Sequence, residues 1–268
     1  MKESNEINNP EEENVGMLNA PLTPAGKTAM FRPPPWRFSM DIVAVEYYLE
    51  PGLIERYLPK ELAPDPDRKG TAMVLIIDGT AVSEASPDQT VTRPAEVNHL
   101  ECLIHLSCRY GEQPTWFSAH SWVTNDVSLL RGLQVCVPKR LGQISMTNFN
   151  RLGKNLAEGR HPGARIGARV QAPDGLSLYA EHTCESRADS YNVFGIPQIK
   201  KEIIGGGLMI ADASEKIVEE IWEGPGRLEC AAGDSDIAPL LTPSGSVWTR
   251  SFRAAFKING MKSIEDIQ

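Results

Sequence analysis

Lys139 lies in the segment Val135-Cys136-Val137-Pro138-Lys139-Arg140-Leu141-Gly142, between apolar residues and a second cation. A lysine in such surroundings can lose its proton near neutral pH, and a neutral amine is a nucleophile toward ketones and aldehydes. An ordinary lysine, with a pKa near about 10.4, is less than about 0.1% neutral at pH 7. Most lysines beside an arginine are solvated surface charges, so the segment alone does not establish reactivity. If the heads of Lys139 and Arg140 stood about 4 Å apart, their repulsion would be worth about 4 kcal/mol, or about three pKa units. Consecutive side chains on an extended segment point to opposite faces, and at about 10 Å the repulsion falls to about 1.7 kcal/mol. Burial supplies roughly three to five units, so an apolar pocket would be the main cause of activation and Arg140 a minor one or a structural support.

Other chemistries have weaker signatures. His99, Glu101, Leu103 and His105 fall on one face of a strand and could ligate a metal, but polar residues in a barrel interior explain the pattern better. There is no HxH or HExxH motif and no GxSxG nucleophile elbow; Pro243-Ser244-Gly245-Ser246 reads as a loop. Cys136 has only Lys139 and Arg140 nearby to lower its pKa, a poor case for a cysteine nucleophile. Gly205-Gly206-Gly207 lacks the Lys-Ser/Thr of a phosphate loop and reads as a flexible break.

The elements that must position Lys139 are mostly strands. Residues 41–49 read as a strand, 51–58 as a short helix with Pro51 at its start, and 72–77 as a strand. Residues 84–94 are polar and read as a surface loop. Residues 99–109 and 115–124 read as paired strands across Tyr110-Gly111-Glu112-Gln113-Pro114. Asp126 is positioned to cap a helix through about Val135, with Leu129, Leu130 and Leu133 on one stripe. Lys139 therefore follows a helix and precedes a strand. Pro173-Asp174-Gly175 turns residues 164–172 into 176–184, the clearest hairpin, and 217–222 and 245–256 read as strands. With no βαβ alternation, the pattern favours an α+β, mainly β domain: a strongly curved antiparallel sheet, or a cone-like barrel, with peripheral helices.

The 268 residues suffice for a sizeable core in one domain spanning 30–260, after an acidic arm over 1–29 that reads as disordered and before a short tail at 261–268. The net charge of −8 (27 basic against 35 acidic residues) comes with no basic run, which argues against nucleic acid. The five cysteines show no CxxC spacing, as in a reducing compartment. No apolar run reaches the roughly 18 residues of a membrane span, and the N-terminus lacks a signal-peptide pattern. These features predict a soluble, cytoplasmic protein with no membrane partner.

Pro138-Lys139-Arg140-Leu141-Gly142 resembles the Pro-Lys-(Lys/Arg)-Leu-Gly segment of the acetoacetate decarboxylase family, whose lysine is the standing example of this kind of activation. Other stretches agree in order. They are Pro35-Trp36-Arg37-Phe38; Leu58-Pro59 with Leu62-Ala63-Pro64-Asp65; Trp222-Glu223-Gly224-Pro225-Gly226-Arg227-Leu228; and Ala238-Pro239-Leu240. The resemblance spans residues 30 to 256. It implies a Schiff base on Lys139, Glu101 at the position of the active-site glutamate, Arg140 at that of the second cation, no metal or organic cofactor, and a homo-oligomer. Two features depart from the family. Asp41 aligns with its carboxylate-binding arginine, which leaves Arg37 as a candidate to reach the pocket. Arg131-Gly132-Leu133-Gln134 replaces its Gly-Arg-Glu pattern. The first expectation is a carbon–carbon lyase (a carboxy-lyase) that decarboxylates a small 3-oxo acid. A Schiff-base aldolase, dehydratase or hydrolase on another small carbonyl compound is the second, and a non-catalytic barrel binding a small ligand the third.

Overall fold

The computed structural model describes residues 29–149, 159–192, 195–202 and 205–267. The acidic arm read over the first residues lies outside these, apart from residue 29. Among the described residues, fourteen strands and three α-helices run in the order β1 (Trp36–Tyr48), β2 (Ala63–Pro64), β3 (Thr71–Ser83), α1 (Gln89–Thr92), α2 (Pro94–Val97), β4 (Asn98–Tyr110), β5 (Gln113–Val123) and α3 (Asp126–Gln134). After them come β6 (Lys139–Leu141), β7 (Gln143–Met146), β8 (Arg165–Gln171), β9 (Ser177–Thr183), β10 (Ser186–Arg187), β11 (Gln198–Lys201), β12 (Leu208–Gly224), β13 (Gly226–Ala231) and β14 (Val247–Ser263).

Pairing in the order β4-β3-β1-β14-β12-β11-β5, with β5 returning to β4, closes a barrel. The fold is mainly β, as its strand-rich sequence predicts, but it is not wholly antiparallel. One edge of β5 pairs with β4 along its length. The other edge is shared by β11 and then β6, both parallel to it. A second sheet, β13-β9-β8-β7, covers one outer flank.

Period-two alternation sorts the barrel strands into two faces. On the outer face Val43, Val45, Val74, Ile76, Ile104 and Trp122 pack with Ile166, Val170 and Leu178 of the second sheet. On the inner face Ile42, Ala44, Met73, Leu75, Ile77 and Phe252 fill the barrel, and Phe38, Met40 and Leu103 continue toward a cavity. A bulge between Ile104 and His105 resets the register of β4 against β5.

Several elements differ from their expected form. The helix read over 51–58 is a single 3₁₀ turn, Ile54–Arg56. The loop read over 84–94 contains the short helix α1, and α2 starts at its last residue. α3 is capped by Asn125, whose Oδ1 accepts from the Ser128 N–H at 2.7 Å, rather than by Asp126. Residues 261–263, read as tail, complete β14, and a 3₁₀ turn at Ile264–Ile267 follows. The five cysteines are free, and none of the described helices is long and apolar enough to cross a membrane.

Candidate active site

Lys139 opens β6, and its side chain turns into a cavity of about 300 Å³ at one end of the barrel. The walls are mostly apolar, with Phe38, Ile77, Leu103, Val137 and Phe256 among them. The Lys139 side chain is 7% exposed, and Nζ donates to Glu101 Oε2 at 2.7 Å and to Ser128 Oγ at 3.1 Å. Glu101 projects inward from β4. Its other oxygen accepts from Ser121 Oγ at 2.8 Å, and His99 Nε2 lies 3.6 Å from Oε2. Lys139 and Ser121 are register partners on β6 and β5, and Glu101 lies on β4 one inward position beyond Leu103, the β4 partner of Ser121. Strand pairing thus sets amine and carboxylate on one face within reach of the long lysine side chain.

Helix α3 supplies the rest. Its buried stripe is Ser128, Arg131 and Gly132, with i, i+3, i+4 spacing. This stripe faces the cavity in place of the leucines, and Leu133 is exposed. A Cβ on Gly132 would stand 2.3 Å from Lys139 Cδ, so the lysine stem passes over the helix only because that residue is glycine. Arg131 is 5% exposed, its guanidinium carbon is 5.5 Å from the Phe38 ring centroid, and Nη2 is buried without a hydrogen-bond partner among the described residues.

The charges compete. Burial lowers the Lys139 pKa, Glu101 opposes that, and Arg131 adds to it; the net direction is down. Burial would raise Glu101, but Lys139 and His99 outweigh it and hold the carboxyl well below its usual range. Burial lowers His99, leaving it neutral near pH 7, and brings Arg131 down to about 10, still a cation. Burial also brings Lys200, another residue of the cavity wall, down to about 8.

Of the residues singled out from the sequence, Lys139 and Glu101 come together and the other three do not. Arg140 points away from the cavity; its side chain is 53% exposed and lies 3.7 Å from Asp174, as alternation requires. The cation that acts on Lys139 is Arg131, eight residues earlier. Arg37 is exposed and pairs with Glu84 at 2.7 Å and Glu215 at 2.6 Å. Asp41 is on the outer face of β1, paired with Arg160 and 3.8 Å from Arg253, so its mismatch with an arginine does not bear on the cavity. His105 faces the interior with His99 and Glu101, and its Nδ1 is 3.3 Å from Ser118 Oγ. Among the described residues, no three His, Cys, Asp or Glu side chains converge into a group that could hold a metal ion. Cys136 is buried, and burial raises its thiol pKa, the wrong direction for a nucleophile.

Fold and site together define a mainly β barrel protein built around a lysine amine buried against a carboxylate. The acetoacetate decarboxylase profile matches residues 19–267, and the chain belongs to that family. No curated protein matches the chain significantly. Among solved structures, the enduracididine biosynthesis enzyme MppR complexed with pyruvate is 26% identical, with a TM-score of 0.83 over 93% of this chain and 98% of MppR. An acetoacetate decarboxylase-like enzyme from Sphingomonas wittichii RW1 is 20% identical, with a TM-score of 0.82 over 92% of this chain and 98% of its own. The acetoacetate decarboxylase of Legionella pneumophila is 14% identical, with a TM-score of 0.70 over 98% of both chains. The last two likenesses speak for the fold alone.

Proposed function

We propose that this protein is a Schiff-base enzyme that uses Lys139 to condense a small 2-oxo acid with a second carbonyl compound. The observation that carries this reading is the Lys139 amine, held 2.7 Å from Glu101 inside an apolar cavity. Neutral Lys139 adds to the ketone, water leaves, and the iminium draws electrons from the neighbouring carbon. Arg131 pairs with the carboxylate beside the ketone and retains it. A proton then leaves the carbon on the other side of the ketone, giving an enamine. Glu101 carries that proton, oriented by the Ser121 hydroxyl. The enamine attacks an aldehyde, loss of water follows, and hydrolysis returns the lysine. MppR has been captured with the condensation product of pyruvate and imidazole 4-carboxaldehyde at 27% identity, which supports carrying this chemistry to the present chain.

Family membership favours a second reading, decarboxylation of a 3-oxo acid. There the carboxylate one carbon further from the iminium departs as carbon dioxide, and the enamine is protonated. Arg131 weighs against it as the main reaction, since a cation on the departing carboxylate stabilises the ground state it must leave.

Borohydride reduction with pyruvate, followed by peptide mass mapping, tests the imine, and the adduct is expected on Lys139 alone. No adduct in folded protein with pyruvate or acetoacetate would sink both readings and leave a ligand-binding barrel. Carbon dioxide release from acetoacetate, without condensation of pyruvate with aldehydes, would favour the second reading over the first.

A further inference from the structure

Buried cations are costly unless each finds an anion. In this cavity the balance is incomplete. Arg131, Lys139 and Lys200 present buried side chains to it, and Glu101 is the single carboxylate among the described lining residues. Glu101 is taken by Lys139. Lys216 belongs to the exposed rim. Lys200 is 6% exposed, and among the described residues its ammonium has neither an ion pair nor a hydrogen bond. Nearby Cys136 does not serve as its anion, because burial raises the thiol pKa and keeps it protonated.

The strand pairing fixes where Lys200 stands. β11 runs parallel to β5 with Gln198 beside Trp116 and Ile199 beside Phe117. One more step of that register sets Lys200 beside Ser118, which lines the same cavity. β6 occupies the same edge of β5 further along, with Lys139 beside Ser121. Ile199 packs outward in the core shared with the second sheet, so its neighbours Gln198 and Lys200 face inward. The two lysines thus enter the cavity from one edge of one strand. The extra β5 residue Ala119 at the bulge sets Ser118 and Ser121 opposite His105 and Leu103, two residues of β4 apart, or about 7 Å at about 3.3 Å per residue.

We propose that Lys200 binds a second, distal carboxylate of the substrate, and that the site therefore takes oxo diacids in preference to monoacids. The proposal deepens, and rests on, the reading of Lys139 as the imine-forming amine. One or two methylene groups between the ketone carbon and the distal carboxyl carbon, plus a charge-assisted hydrogen bond of about 2.8 Å, cover the span between the two lysines. Arg131 holds the carboxylate next to the ketone, Lys139 the ketone carbon, and Lys200 the far end. A bound diacid then supplies the anions that Arg131 and Lys200 lack.

The test has two arms. In the first, calorimetry compares glutarate with pentanoate, which have equal length and no ketone. The wild-type protein should bind glutarate about tenfold or more tightly than pentanoate. Lys200→Gln and the apolar, similarly sized Lys200→Met should bring the two acids within about threefold, while Lys200→Arg keeps the preference. Melting curves of each variant confirm folding. Because Lys200 titrates near 8, the preference should fade as pH rises through that value.

In the second arm, borohydride trapping at Lys139 compares 2-oxoglutarate with 2-oxopentanoate, and the diacid should half-saturate at the lower concentration. Equal binding of glutarate and pentanoate by wild type, or a preference that survives in both Lys200→Gln and Lys200→Met, would overturn the assignment of Lys200. A glutarate preference without any trapping would leave Lys200 its anion site and sink the imine reading instead.

Discussion

Lys139 is pulled in two directions, and the signs can be separated by mutation. Glu101 raises its pKa and Arg131 lowers it, both against a background of burial that lowers it further. The amine reacts only when neutral, so trapping should rise with pH through the Lys139 pKa. Glu101→Gln keeps a hydrogen-bond acceptor but removes the charge, so the midpoint of trapping should move to lower pH by about one unit or more. Arg131→Gln should move it to higher pH by about one unit and weaken oxo-acid binding. Arg140→Gln should leave it in place, because that guanidinium is exposed and paired with Asp174 on the opposite face. A large shift in Arg140→Gln with none in Arg131→Gln would refute this assignment. The local motif around Lys139 and the inward face carrying Glu101 were legible in the sequence, since both depend on short-range spacing. Arg131 and Lys200 were not. Each reaches the cavity from an element whose docking is set by tertiary contacts: Arg131 from the helix before Lys139, and Lys200 from a strand 61 residues after it.

Helix α3 shows how a small residue can serve chemistry while working against its own element. Glycine inside a helix costs about 1 kcal/mol relative to alanine. Gly132 occupies such a position because the aliphatic stem of Lys139 fills the space where its Cβ would be. Gly132→Ala should therefore help the helix locally but push the stem aside and move Nζ off Glu101. The expected outcome is a fall in borohydride trapping of about tenfold or more, with a melting temperature changed by only a few degrees. Trapping at the wild-type rate would show that the stem has room to shift. The strands were largely readable because alternation is a local signal; the hairpin of β8 and β9 matches its expected limits closely. Alternation also explains why Arg37 and Asp41 miss the cavity. They occupy odd positions of β1, the face that carries Val43 and Val45 outward, whereas Phe38 and Met40 point in. The parallel seating of β11 and β6 on β5 had no local signature, because strand partners are chosen by closure of the barrel.

The cavity depends on more than the barrel that contains it. The outer face of β1, β3 and β4 shares one continuous apolar core with the second sheet, in which Ile166, Leu178 and Trp122 are fully or almost fully buried. Two sheets joined through one core are expected to unfold as one unit. Ile166 is a direct probe, since it sits on β8 of the second sheet, away from the cavity lining, and is 0% exposed. Ile166→Ala removes buried methyl groups at a cost of about 2–5 kcal/mol. If the sheets are coupled, its denaturant curve should keep the wild-type slope and shift as a single transition to lower concentration. Trapping of pyruvate at Lys139 should disappear along the same curve. Independent sheets would instead give two transitions, with Lys139 still reactive after the first. Coupling has a physical cause in β4 and β5. Glu101 and Ser121 face the amine, whereas their neighbours Cys102 and Trp122 face the second sheet. The same strands thus hold the reactive pair on one side and the shared core on the other, so loss of that core releases the geometry on which the chemistry depends.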